Sequence, residues 1–234
     1  MSSSQPETAP DRLRLLARTA PKFVFLVAIL LGLAFFLTAG TFRYWQAWVV
    51  SAVLLVPMWG IILYLSKHDP ALLERRLQAR EKEAPQKFVS RLGGLFFLAL
   101  MVLPGFDRRW GWSSVPPVVV VLADVVLLAT YLFDFWVMKV NSYASRTVEV
   151  VPGQKVISAG PYAIVRHPMY LALLVLYGAV PLALGSYWAL LAYLPLPFIF
   201  AFRIKNEEEV LLRDLPGYAE YRAKVRFKVL PGLW

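Results

Sequence analysis

Apolar residues in this chain come in long blocks rather than in alternation. Six can be traced: about Lys22 to Thr38, Trp45 to Leu65, Leu92 to Pro104, Val115 to Met138, Pro168 to Leu184 and Tyr187 to Phe202. Most approach the roughly 17–25 residues that an α-helix needs to cross a bilayer. The pattern predicts an all-α, polytopic transmembrane bundle of about six spans. The third block is short and carries Gly93-Gly94, which predicts tilt, close packing against a neighbour or an earlier start. Only Gly185-Ser186 parts the fifth block from the sixth, the mark of a tight helical hairpin, and Pro181, Pro195 and Pro197 add kinks or breaks.

The polar stretches between the blocks divide the chain. Residues 1–21 (MSSSQPETAPDRLRLLARTAP) read as a disordered basic leader feeding a permanent span, because no small-residue cleavage site follows the first apolar run. Residues 22–140 hold spans one to four. Residues 141–234 hold spans five and six with a polar tail, and form the candidate catalytic region. Within the loop at 66–91, Leu72, Leu73 and Leu77 lie among many charges, which predicts a short amphipathic helix on the membrane surface.

Composition agrees with the block pattern. The 234 residues are 59% hydrophobic and 17% charged, against about 45–50% and 25% in a soluble domain. A chain this size has no soluble core that would hide so much apolar surface. The absence of cysteine excludes disulfides, thiolate catalysis and thiolate metal sites, and with only His68 and His167 no metal centre is expected.

A net charge of +10 would suit nucleic acid, but its distribution argues otherwise. The leader together with Lys22 holds four basic residues, the 66–91 loop seven, the segment from Lys139 to Arg166 four and the tail after Phe202 seven. The remaining connections hold only Arg43, Arg108 and Arg109. This alternation predicts cytoplasmic termini and long loops, an inner-membrane location and no nucleic-acid partner. Trp45, Trp48, Trp110, Trp112 and Tyr187 fall near the opposite span ends, where an aromatic belt sits.

Candidate chemistry concentrates in two polar segments. In Asn141 to Tyr170, Val148–Val151 and Lys155–Ser158 are expected as short extended pieces around a turn at Pro152-Gly153. His167-Pro168 then opens the fifth helix, with proline suited to the first helical position. Free amides and the positive dipole end there suit an anionic group, although a loop that merely begins a helix explains the same residues. After the sixth span, Arg203 and Glu207 share a helix face. Such a pair is usually an exposed salt bridge of small worth, yet at membrane depth it becomes a functional suspect. Of Glu207, Glu208 and Glu209, at least one is expected to face solvent. Leu211, Leu212 and Leu215, with Tyr218 and Tyr221, read as packing for a terminal amphipathic helix. Asp124 and Asp134 lie inside span four and need a cavity or a partner; Asp134 is the better site candidate.

Two spaced motifs carry a resemblance. Gly160-Pro161-Tyr162 precedes Arg166-His167-Pro168-Met169-Tyr170, and Arg203-x-x-x-Glu207-Glu208 follows, with Leu211, Tyr218, Tyr221 and Pro231 beyond. Over about residues 141–234 the chain resembles the isoprenylcysteine carboxyl methyltransferase family and its bacterial, phospholipid-methyltransferase-like relatives. The N-terminal half is similar only as a set of spans, with some likeness at Ala39-Gly40-Thr41 and from Asp69 to Arg76.

The resemblance implies S-adenosylmethionine as cofactor, held in a cytoplasmic region. Gln154, Lys155, Val156 and Ile157 would line it, and Tyr162, His167, Pro168, Met169 and Tyr170 would surround it. Glu207 would contact its amino or ribose part, and Thr147 falls where a polar contact is found. Arg203 would face the substrate carboxylate, with Glu207 orienting it. The implied partners are membrane lipids and a lipophilic or lipidated acceptor, most readily an isoprenylcysteine-type carboxylate. A phospholipid amine is an alternative acceptor, for which Glu208 or Asp134 would take the proton. An NADPH-dependent, sterol-reductase-like enzyme and a non-catalytic membrane subunit are the rival classes.

Overall fold

The computed structural model describes residues 9–77, 84–144, 147 and 150–234. Nine α-helices are present among them: α1 (Ala9–Gly32), α2 (Trp45–His68), α3 (Pro70–Leu77), α4 (Ala84–Trp110), α5 (Pro117–Val140), α6 (Pro168–Ala183), α7 (Leu190–Tyr193), α8 (Leu196–Asp214) and α9 (Tyr218–Lys224). A π-helical turn, Leu33–Leu37, continues α1, and a 3-10 turn, Gly160–Ala163, precedes α6. The only strand-like feature among the described residues is one parallel bridge between Val165 and Phe227.

Among the described residues, four helical segments are long and apolar enough to cross a membrane: Thr19–Leu37, Trp45–His68, Lys87–Trp110 and Pro117–Val140. The third is therefore not short. Pro104 lies within α4 without ending it, and the helix extends into polar residues on both sides of the expected 92–104 block. The fifth expected span, α6, has 16 residues, about 24 Å of helix against the roughly 30 Å of a hydrocarbon core. The sixth is broken, with Leu194 and Pro195 parting α7 from α8. Helix α8 then runs from its apolar start into the charged residues around Glu207.

The leader also departs from expectation. The chain is helical from Ala9, well before residue 21, and passes through Pro21 without a break. Pro10 sits in the first turn, where a missing N–H costs nothing. The Leu-, Arg- and Ala-rich run after it extends a helix already nucleated by the span. The amphipathic helix expected in the 66–91 loop is α3, with Leu72 and Leu73 fully buried; residues 78–83 lie outside the described residues. The turn at Pro152-Gly153 is present, with Gly153 at φ +77° and the Gln154 amide donating to Val151 O at 3.0 Å. Lys155–Ser158 pairs with no strand, and Val148 and Glu149 lie outside the described residues.

The main core joins α1, α2, α4, α5, α6 and the start of α8 around Phe35, Tyr44, Leu100, Leu127 and Leu196. Gly105 of α4 allows the closest approach: a β-carbon there would stand 1.7 Å from Thr38 Oγ1. Three connections meet at one end of the bundle. Tyr44 donates to Leu184 O at 2.6 Å, and buried Asp107 accepts from Ser186 Oγ at 2.5 Å and from the Ser113 amide at 2.8 Å. The five aromatic residues expected at this end are all exposed, and Trp110 stacks on Trp112.

Candidate active site

At the other end of the bundle, the segment before α6, the first turns of α6, the second half of α8 and α9 line a partly open cleft. Its lining includes all ten residues expected around a cofactor: Gln154, Lys155, Val156, Ile157, Tyr162, His167, Pro168, Met169, Tyr170 and Glu207. Arg203 is not among them. It lines a second, larger chamber between α4, α6 and α8, together with Ser90, Gly93, Gly94, Phe97, Tyr177, Ile199 and Phe200. Thr147, Met169, Tyr170 and Glu207 belong to both cavities and form the boundary between them.

That boundary is wired by hydrogen bonds. The Tyr170 hydroxyl donates to Glu207 Oε2 at 2.7 Å and accepts from Arg203 Nε at 2.9 Å. Arg203 Nη1 also donates to Ser90 Oγ at 2.7 Å. Glu207 thus reaches Arg203 through the tyrosine hydroxyl, a link that the four-residue spacing on one helix does not reveal.

Pro168 opens α6 with His167 before it. Arg166 N donates to Phe227 O at 3.0 Å and His167 N to Lys228 O at 2.8 Å. These two amides, just ahead of the helix, hold the tail. Side chains reinforce the tether: Arg166 Nη1 donates to Val225 O and Arg226 O, each at 2.7 Å. Arg166 Nε donates to Glu208 Oε1 at 2.6 Å, and His167 Nε2 lies 3.2 Å from the same oxygen. Burial alone would push the Glu208 carboxyl up, but hydrogen bonds from His167 and Arg166, with their charges, outweigh it and hold it at about 2. Glu208 is therefore buried in an ion-paired knot outside both cavities, an arrangement unsuited to accepting a proton. Glu209 is the exposed member of the glutamate run.

Residues read as packing also reach the cleft. Leu211, Leu215, Tyr218 and Tyr221 form its wall. The Tyr221 hydroxyl donates to Tyr162 O at 2.8 Å, whereas the buried Tyr218 hydroxyl has no partner. Burial raises the pKa of the Tyr162 and Tyr218 hydroxyls and pushes that of Tyr221 to about 12, so all three stay protonated. Arg76 of α3 is a further addition, lining the larger chamber and donating to Ala144 O at 3.1 Å and Met169 Sδ at 3.4 Å. Its only signal in sequence was the weak likeness from Asp69 to Arg76. Asp134 faces the larger chamber, whereas Asp124 is buried elsewhere on α5.

Residues 120–213 match the isoprenylcysteine carboxyl methyltransferase (ICMT) family. The match covers less than half of the chain and supports the resemblance to that family, and the apolar helices are those of a membrane protein. No curated protein matches the chain. The ICMT match runs from α5 nearly to the end of α8, so it spans the boundary residues Met169, Tyr170 and Glu207, together with Arg203. Tyr218 and Tyr221 lie beyond it, and so do Arg76, Ser90, Gly93 and Gly94. The cleft is built mostly from matched residues, while α3 and α4 add a wall of the larger chamber from outside the match.

Proposed function

We propose that the protein transfers a methyl group from S-adenosylmethionine to a lipophilic acceptor, with a carboxylate of isoprenylcysteine type as the favoured nucleophile. The observation that carries this reading is the pair of cavities meeting at Met169, Tyr170 and Glu207, with Arg203 on one side and the expected cofactor residues on the other.

The smaller cleft suits the cofactor chemically. It offers a carboxylate (Glu207) for an ammonium, a cation (Lys155) for a carboxylate, tyrosine faces for a purine, and the uncommitted Tyr218 hydroxyl as a hydrogen-bonding group. Bound there, S-adenosylmethionine supplies an electrophilic methyl on a sulfonium leaving group. The protein's task is then alignment and exclusion of water. A carboxylate needs no general base. Arg203 holds it by charge and by a planar fork, while Tyr170 and Ser90 fix the guanidinium. The apolar walls of the larger chamber take the acceptor's tail, and the cytoplasmic face that the basic residues predict would supply the cofactor.

Calorimetry of the purified protein against S-adenosylmethionine and NADPH tests this reading. Binding of the former alone is expected; binding of the nicotinamide alone would replace it with the reductase, and binding of neither would favour a non-catalytic subunit. Arg203→Ala is expected to abolish turnover with cofactor affinity retained, and full activity in that variant would remove the carboxylate clamp.

A further inference from the structure

Asp134 is not used by the chemistry above. It lies near the C-terminal end of α5 and lines two spaces at once: the larger chamber, and a recess walled by Phe23, Met58, Leu73 and Met138. Arg76 is the only other residue common to both linings. The Asp134 Oδ1 atom is buried and accepts no hydrogen bond. A buried carboxylate oxygen without a hydrogen bond is costly even beside the charge of Arg76, and such groups are almost always paired. An intramembrane acid facing a cavity is, by the same reasoning, suited to meeting a ligand.

The same chamber presents Arg203, so its lining carries an anion-binding group and a hydrogen-bond acceptor of opposite charge. We propose that Asp134 selects the acceptor: its free oxygen takes a hydrogen bond from an N–H on the acceptor's polar end while Arg203 holds the anionic group. This rests on the methyl-transfer reading for the identity of the chamber. The ligand class is an amphiphile bearing an anionic oxygen group and an N–H donor on one apolar body. The donor has two chemical sources, the amide of an acylated, prenylated amino acid or the ammonium of an aminophospholipid. A buried group built to pair with a donor rejects analogues that lack it, because the group is then left unsatisfied.

The full chain in nanodiscs of phosphatidylcholine is titrated with N-acetyl-S-farnesyl cysteine and with its N-methylated analogue, which lacks the amide hydrogen. Wild type is expected to bind the first about tenfold more tightly. Asp134→Leu is expected to bring the two affinities together, and Asp134→Asn, which keeps the shape and loses the charge, to narrow the gap. Unchanged S-adenosylmethionine affinity in both variants shows that the neighbouring cleft is intact. Adding phosphatidylethanolamine to the discs assigns the ammonium source if it displaces the probe from wild type and not from Asp134→Leu.

Equal affinity for both probes in wild type, without competition by phosphatidylethanolamine, overturns the proposal. So does a wild-type preference that both variants retain. Discrimination by wild type with no methylation of any probe would leave Asp134 as the selector and sink the methyl-transfer reading instead.

Discussion

Tyr170 joins the two halves of the site through one oxygen. Its hydroxyl accepts from Arg203 and donates to Glu207, so removing that atom uncouples the groups without opening a cavity. Tyr170→Phe is expected to lower kcat about tenfold, the worth of a hydrogen bond to a charged partner. Cofactor affinity measured by calorimetry should stay within a few fold. Glu208 acts differently. Its carboxyl is held at about 2, below the ordinary carboxylate range, by Arg166 and His167 against the cost of burial. A depressed acid contributes stability that is complete above its unfolded value and lost as pH falls through its folded one. Melting temperature should therefore be level above about pH 5 and decline from there toward pH 2. Glu208→Gln should melt lower at pH 7 and show a shallower acid limb.

Among the elements, α4 and α8 decide what the larger chamber admits. Gly94 lines it with nothing within 4 Å of a would-be β-carbon, while a β-carbon at Gly93 would stand 3.6 Å from Ile199. Gly94→Leu puts a branched side chain into open volume rather than against a helix. It is expected to raise KM for long-chain acceptors about tenfold or more, with KM for S-adenosylmethionine unchanged; equal effects on both would show that the chamber does not take the acceptor. The double glycine marked this site in the sequence, but closeness to a neighbour is only part of its role, since Gly94 leaves space. The His-Pro start of α6 was equally visible, because proline's fixed φ and missing N–H suit that one position. The use of the adjacent amides was not, because their partners, Phe227 and Lys228, lie about sixty residues away.

At the scale of the whole molecule, helix ends sort into two groups. One end carries the Asp107–Ser186 link and the exposed tryptophans, the other the two cavities. The charge pattern predicts that the cavity end is cytoplasmic. The chain has no cysteine, so single cysteines report cleanly. In intact bacterial cells, Trp112→Cys is expected to react with a membrane-impermeant maleimide, and Lys224→Cys only after lysis. The reverse pattern would invert the topology.

The amino-acid order alone determined the membrane class, the helical architecture and a short list of candidate site residues, because apolar block length and motif spacing are local properties of a chain. It also marked the turn at Gly153 and the helix start at Pro168, where single residues have strong backbone preferences. Tertiary structure decided how the charges are shared. Glu207 and Glu208 are adjacent in sequence, yet a 100° rotation per residue sends one to the boundary of two cavities and the other into a buried knot with Arg166. Arg203 proved to line only the larger chamber, joined to the cleft through the hydroxyl of Tyr170. Contacts of that kind depend on which helices pack together, and that is settled by the fit of whole faces rather than by any stretch of sequence.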